Sequence, residues 1–514
     1  MTDRRFSAPD LARRLLAPIA ALLGLVVGLS VLILPSPAPT TADPTTFSAE
    51  RAMASINRLA DEPHSVLRRE AHDRARDDVI SMFANLGYTA NVHSDPLFDF
   101  SIPEDKETFD MLSTEQQAAV KDATADTIVV DVPGKSERTM ALMAHYDSAT
   151  VEGTENDEQS YSSGTSHGAA DDGYGVAAII ETLRAIKAEG RQPENSLKIV
   201  ITDGEEIGLV GARNEMRHHR ADYDNVDLFL NLEARGMSGP AFMFETSPNN
   251  SAVAGYFLSH VKQPVTGSLL PSLYARMPNT TDMAKVIPEG FTVLNIAAIG
   301  EADHYHHATD APRYVNHSTL QHYGDQVLDL TRAWAFDGQT PTLTANGDLH
   351  FFQLWRGMTV SYPATVGTGL GCLAIIAALG VVVVRARSLR WKRVLGTVWG
   401  LTWRAASVSA AAGLVQLGAM AMKWAPETGI GPNPLLPWMF AGGALIGAGL
   451  TAHFVVRRWK EGLGQETLAA VLLLLAAACV PLMVLLPGAA YVLVLPTLTL
   501  ALTALAPQRV RPVV

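Results

Sequence analysis

Cysteine is nearly missing: the 514 residues hold 2, Cys372 and Cys479, and both fall within long apolar runs. Their scarcity excludes a disulfide framework and a thiol nucleophile from the rest of the chain. Net positive charge is missing too. The formal charge is −12, and no patch outside the membrane-flanking loops interleaves basic with aromatic residues, so nucleic acid is not expected as a partner. No G-x-S-x-G turn follows a strand-like run, and Ser166 in "GTSHG" reads as part of a loop, which sets serine hydrolase chemistry aside. Ionisable residues are rare inside the apolar runs, with Arg404 at an edge and His453 near a basic end. Channels and pumps usually bury charged relays, so these runs read as an anchor or partner surface rather than a transport path.

The first apolar run, "LLAPIAALLGLVVGLSVLIL" at 15–34, is uncharged and preceded by "LARR". At ~1.5 Å rise per residue it is long enough to cross ~30 Å of hydrocarbon, and it is expected to remain as an uncleaved anchor. Five further runs are expected to span at 360–384, 405–422, 436–456, 468–486 and 489–506. "RARSLRWKR", "RRWK" and "RVR" follow the first, third and last of these, whereas "KWAPETGIGPNP" and "PG" carry little positive charge. Six crossings with both ends in the cytoplasm place every strongly basic loop on one side and residues 35–357 on the other. The expected organisation is an anchor at 1–35, an exported domain at 46–338 and a membrane region at 358–514. Alanine-rich spans and a preference for arginine favour a bacterial inner membrane with the exported domain in the periplasm.

Within the exported part, Met53, Ile56 and Leu59, then Val79, Met82, Phe83 and Leu86, recur at helical spacing and predict two amphipathic helices. Beyond them the chain alternates. "TIVVDVPG", "TMALMAHYDS", "SLKIVITDGEE", "VDLFLNLEARG" and "FTVLNIAAIGEAD" read as strands, and "GYGVAAIIETLRAIKAEG" and "VNHSTLQHYGDQVLDLTRAWAF" as helices. Strands apolar on both faces predict an α/β sandwich with a mostly parallel central sheet. Ligands of such sheets bind beyond the carboxyl ends of the strands.

Those ends are where the chemistry collects. "MALMAHYDS" closes on His145 and Asp147, the aspartate placed to hold the second ring proton and so fix the imidazole tautomer. Asp171 and Asp172 enter a helix after a glycine-rich turn, where a pair of N-caps is the plainer reading. Glu205 and Glu206 follow a strand and can divide labour, one binding a cation and the other holding or deprotonating a water. Glu233 ends another strand, where an unpaired charge would be expensive. "GEADHYHHATDAP" adds three histidines. Mixed imidazole and carboxylate donors suit Zn²⁺, with Mn²⁺ or Co²⁺ allowed by the chemistry. A two-metal centre accounts for the surplus carboxylates.

"HYD", "GAADDGYG", "DGEEIGLVGA", "NLEARG" and "YHHATD", in that order, resemble the M28 family of zinc metallopeptidases across residues 46–338, and within it the membrane-anchored branch of endoplasmic-reticulum and vacuolar membrane proteases. The resemblance implies a zinc-exopeptidase-like sandwich holding two zinc ions. It implies His145, Asp171, Glu206, Glu233 and His306 as metal ligands, with Asp171 bridging, and Asp147 as the residue orienting His145. Glu205 takes the general-base position. Glu233 stands where many members carry aspartate. His306 is selected over His304 and His307 because Tyr305, His306 and Asp310 fit the family's Y-H-T-x-x-D pattern. Ala170 and Tyr174 depart from frequent residues and are expected to alter pocket shape. The implied activity is aminopeptidase cleavage of peptides with a free N-terminus, at a lipid bilayer. Glutaminyl-cyclase-like or carboxypeptidase-like chemistry on the same fold, a non-catalytic receptor or scaffold, and a transporter with an accessory exported domain are the alternatives.

Overall fold

The computed structural model of the chain describes residues 30, 33–151, 161, 164–277, 280–355, 357–423, 451, 453–458 and 460–506. It falls into two units, divided between Ala364 and Thr365.

In chain order the first unit contains α1 (Ala49–Leu59), α2 (Arg69–Asn85), β1 (Asn91–Pro96), β2 (Thr124–Val132), β3 (Ser136–His145), α3 (Gly173–Ala188), β4 (Asn195–Thr202), α4 (Val210–His218), β5 (Val226–Ala234), β6 (Ser238–Thr246), α5 (Ser251–His260), β7 (Val293–Gly300), α6 (His317–Phe336), β8 (Leu349–Trp355) and β9 (Met358–Pro363). The helices start where their sequences say they should. Ser48 accepts the Arg51 N–H at the head of α1, and Asn316 accepts the Ser318 and Thr319 N–H groups at the head of α6. Such caps contribute about 1 kcal/mol each. On α1 the buried residues Ala49, Ala52, Met53, Ile56 and Leu59 form a single helical stripe.

Seven strands form the sheet in the order β1-β2-β4-β3-β5-β7-β6. Its centre is parallel: β4 with β3, β3 with β5, and β5 with β7. The remaining pairs, β1 with β2, β2 with β4, and β6 with β7, are antiparallel. The sheet is therefore mixed, which corrects the mostly parallel expectation. The reason is connection length. Only residues 133–135 join β2 to β3 and only 235–237 join β5 to β6, far short of the dozen or more residues that a parallel crossover needs. Each short turn reverses the chain, and a later strand fills the gap: β4 between β2 and β3, and β7 between β5 and β6.

Strand alternation feeds two cores, one on each face. Met140, Leu142 and Ala144 of β3 join Ile56, Val79, Phe83, Ile179, Leu183, Tyr323 and Trp334 on one face. Ala141 and Met143 join Met216, Tyr223, Phe229, Met283 and Val286 on the other. Full burial of a leucine such as Leu142 or Leu230 stabilises by about 1.5–3 kcal/mol, and this double packing makes the central strands rigid supports for whatever projects from their ends.

The second unit contains α7 (Ala364–Arg385), α8 (Trp391–Lys423), α9 (Gly464–Leu485) and α10 (Tyr491–Leu505). Among the described residues, α7 and α9, each of 22 residues, are long and apolar enough to cross a membrane. The expected span at 405–422 falls within the 33-residue α8. The expected span at 489–506 is realised as the 15-residue α10, because a 3₁₀ turn at Pro487–Ala489 takes up its start. Most of the run at 15–34 and most of that at 436–456 lie outside the described residues. Cys372 and Cys479 are free thiols.

Candidate metal centre

The four parallel strands deliver their carboxyl ends to one place. β3 ends on His145, β4 on Thr202 just before Asp203-Gly204-Glu205-Glu206, and β5 carries Glu233 as its penultimate residue. After β7 the chain turns through 301–310, and Asp171 and Asp172 precede α3. Gly204, at φ 66°, turns the chain so that the 3₁₀ turn Glu205–Ile207 follows the strand directly.

His145 Nε2 lies 3.4 Å from Asp171 Oδ1. His306 Nε2 lies 3.3 Å from Asp171 Oδ2 and 3.1 Å from Glu206 Oε2. Asp171 thus turns one oxygen toward each histidine. Donor atoms of His145, Asp171 and Glu233 fall within 4.8 Å of one another, as do those of Asp171, Glu206 and His306, and those of His145, Glu205 and Glu206. The sets overlap at Asp171, His145 and Glu206. His145 Nε2, both ring nitrogens of His306, Asp171 Oδ2 and Glu206 Oε1 are buried without a hydrogen-bond partner. Buried polar atoms are nearly always satisfied. These donors approach one another without hydrogen-bond alignment, as metal ligands do, and the residues fit a pair of divalent cations.

The electrostatics agree. Burial, reinforced by Glu233 and Glu206, pushes Glu205 well above the usual carboxylate range. Burial likewise lifts Glu206 to about 7 and Glu233 to about 8. Burial opposes charge on His306 as well, yet Glu206 and Asp171 outweigh it and raise the ring to about 10. So many buried carboxylates call for compensating positive charge.

The supporting contacts divide among three aspartates. Asp147 accepts the Glu205 N–H at 3.1 Å on Oδ1 and the Glu206 N–H at 3.2 Å on Oδ2. Its carbonyl accepts His145 Nδ1–H at 3.0 Å, which fixes the tautomer and leaves Nε2 as the lone-pair nitrogen. Asp172 is the N-cap of α3, accepting the Gly175 N–H at 2.9 Å, and also accepts the His145 N–H at 3.3 Å. The adjacent pair therefore separates into a cap and a residue facing the histidines. Asp310 accepts the Ala170 N–H at 2.7 Å, the Asp171 N–H at 3.3 Å and the Ser166 hydroxyl at 3.2 Å, holding the loop that presents Asp171.

Gly175 completes that turn for a steric reason. A Cβ there would stand 2.3 Å from Asp172 Oδ2. Gly175→Ala is expected to displace the Asp172 carboxylate from both of its N–H partners and to cost about 1 kcal/mol or more. A lower urea midpoint would show it, and an unchanged midpoint would contradict it.

The three histidines of the 304–307 stretch have different surroundings. His306 is buried, holds a left-handed backbone at φ 58°, and stacks on Tyr305 with ring centroids 3.6 Å apart. His304 is half-buried and donates from Nδ1 to the Thr309 carbonyl at 3.0 Å. His307 is also half-buried. His306→Ala is expected to lose one metal ion from the strand-end cluster and most activity, whereas His304→Ala and His307→Ala keep both ions there. Equal losses in metal content across the three would refute the selection of His306.

Ala170 and Tyr174 do not shape a pocket as expected. Both belong to the core, with the Tyr174 hydroxyl donating to the Met237 carbonyl at 2.7 Å. Two groups went unnoticed in the sequence. Asp203 pairs with His72 at 2.7 Å, both side chains fully buried, and accepts the Asp126 N–H at 2.7 Å, anchoring the turn just before Glu205. A histidine on the buried stripe of α2, between Ala71 and Ala75, was the available signal. Asp282 receives the Thr202 hydroxyl at 2.5 Å and buries Oδ1 without a partner; nothing in its spacing marked it.

Residues 127–331 match the model of peptidase family M28. The matched segment carries the strand-end cluster, and it is similar at low identity to vacuolar and endoplasmic-reticulum membrane proteases. The vacuolar membrane protease of Lodderomyces elongisporus is 29% identical over 210 residues, 40% of this chain and 20% of that protein. Endoplasmic reticulum metallopeptidase 1 of Mus musculus is 23% identical over 219 residues, 42% of this chain and 24% of that protein. The chain spans about a quarter of the length of the curated relatives it matches. Among solved structures, the aminopeptidase of Aneurinibacillus sp. strain AM-1 superposes with a TM-score of 0.44 at 12% identity, over 59% of this chain and 98% of that one. Porphyromonas gingivalis glutaminyl cyclase gives 0.42 at 18% identity, over 56% and 98%.

Proposed function

We propose that the chain is a membrane-bound dizinc aminopeptidase that removes N-terminal residues from peptides on the non-cytoplasmic side of a membrane. The observation that carries this reading is Asp171, with one oxygen toward His145 and the other toward His306. The M28 match supports hydrolysis, and the names of the relatives, protease and metallopeptidase, support a peptide as substrate. Helices α7 and α9 support attachment to a bilayer.

His145, Asp171 and Glu233 would hold one zinc ion, and Asp171, Glu206 and His306 the other. When bound, the ions supply Lewis acidity that acidifies water and polarises a carbonyl. The proton is the task of Glu205. Its carboxylate takes a proton from water as the new C–O bond forms, then gives it to the leaving nitrogen as the C–N bond breaks. Asp147 holds the Glu205 and Glu206 backbone and the ring of His145 in one frame, so base and ligands keep a common geometry. The preference for a peptide's amino end follows from charge. Asp171, Glu205, Glu206 and Glu233 of the cluster, with Asp147 behind them, carry five negative charges against the four of two divalent cations. A terminal amine is welcome there and a terminal carboxylate is not.

The test is an assay of the full-length protein in detergent on a peptide with a free amine, its N-acetylated form and its C-terminal amide. Hydrolysis of the first and third, loss with chelator and return with Zn²⁺ are expected. Equal turnover of the acetylated peptide, or activity indifferent to chelation, would overturn the reading, and a ring-closed product from an N-terminal glutamine without hydrolysis would reassign it to cyclisation.

A further inference from the structure

A second group of imidazoles and carboxylates meets where the edge strand β1 packs beside the end of α4. His93 of β1, Glu215 of α4 and His219, just past that helix, each offer a donor atom within 4.8 Å of the other two. The Glu215 side chain is completely buried, while those of His93 and His219 are 19% and 27% exposed, so the group is built into the protein yet open to a solute.

The donors are packed closely enough to share one cation. The two rings stack with centroids 4.0 Å apart and planes 19° from parallel. Both Glu215 oxygens crowd the same His93 nitrogen, at 3.0 and 3.1 Å. Tyr223 donates its hydroxyl to Glu215 Oε2 at 2.6 Å, the kind of outer hydrogen bond that aims a ligating carboxylate. Further carboxylates stand by: Asp95 Oδ2 is 2.9 Å from His219 Nε2, and Asp222 Oδ2 is 3.9 Å from His219 Nδ1. Two imidazoles and a carboxylate, with oxygen donors at the margin, match the ligand chemistry of Zn²⁺ and of Cu²⁺ or Ni²⁺.

We propose that His93, Glu215 and His219 form a separate site for one divalent transition-metal ion, of the Zn²⁺ class, that ties β1 to α4. β1 pairs with β2 on one side only, so a metal tie protects an edge that backbone pairing leaves open. α4 is also the helix entered directly from the Glu205-Glu206 turn, and the ion would fix its far end.

The experiment counts metal on the full-length protein in detergent, stripped with chelator and re-equilibrated at about 1 μM free Zn²⁺, well above what structural sites require. A His145→Ala/His306→Ala protein, its strand-end ligands disabled, is expected to keep one ion that disappears when His93→Gln and His219→Gln are added. In the same background Cu²⁺ is expected to give an electron paramagnetic resonance spectrum with coupling to two imidazole nitrogens. Should the combined variant fail to fold, His219→Asn alone decides, because that spectrum must then lose one nitrogen. No retained ion in the His145→Ala/His306→Ala protein, or a copper spectrum indifferent to His219→Asn, would overturn the proposal.

Discussion

Asp171→Ala is expected to empty both metal positions at once. In the two-ion assignment each other ligand serves one position, but Asp171 places Oδ1 near His145 and Oδ2 near His306. Without it each position keeps one imidazole and one carboxylate. Changes to residues that merely support a ligand already weaken metal binding by about 10–100-fold, so removing the shared ligand should exceed ~100-fold at both positions. His306→Ala provides the contrast, since His145, Asp171 and Glu233 remain together. Metal content of the full-length protein by mass spectrometry, after equilibration at fixed free zinc, separates the two. An Asp171→Ala protein that kept a tightly held ion beyond the one proposed at His93, Glu215 and His219 would show that the aspartate does not bridge.

Glu205→Gln is expected to leave metal binding intact and lower kcat by ~10³-fold or more, toward the upper part of the range for general acid–base groups. The substitution keeps shape and hydrogen-bonding reach while removing the capacity to accept a proton. The main-chain contact that places residue 205, its N–H to Asp147 Oδ1, does not depend on the side chain. Activity should therefore fall through kcat, with KM and metal stoichiometry near their original values. A Glu205→Gln protein with both strand-end zinc ions and an undiminished rate would move the base elsewhere, with Asp282, buried and with Oδ1 unpartnered, the first residue to examine.

Much of this architecture is legible in the residues, and what escapes does so for definite reasons. The strands read clearly because those at the centre are apolar on both faces, as Met140 to Ala144 illustrate. Their directions did not, since orientation depends on the length of the turns at 133–135 and 235–237 and on which later strand fills each gap. Asp171 and Asp172 look equivalent in the sequence; only the backbone of α3 assigns one to capping and leaves the other free to face the histidines. Tyr174 seemed placed to shape a pocket because it neighbours the aspartates, but a helix turns successive side chains by ~100° and sends this one into the core. Asp203 was hidden by its brighter neighbours Glu205 and Glu206, and its partner His72 is far away in sequence.

The two interrupted hairpins have a kinetic consequence. Neither β2 with β3 nor β5 with β6 can zip up locally, because the strand that separates each pair is synthesised later and must thread between partners already close in sequence. Such non-local pairing slows folding. The donors at the ends of β3, β4, β5 and β7 become neighbours only once both late strands have docked, so zinc capture during refolding would time the completion of the topology rather than the collapse that precedes it.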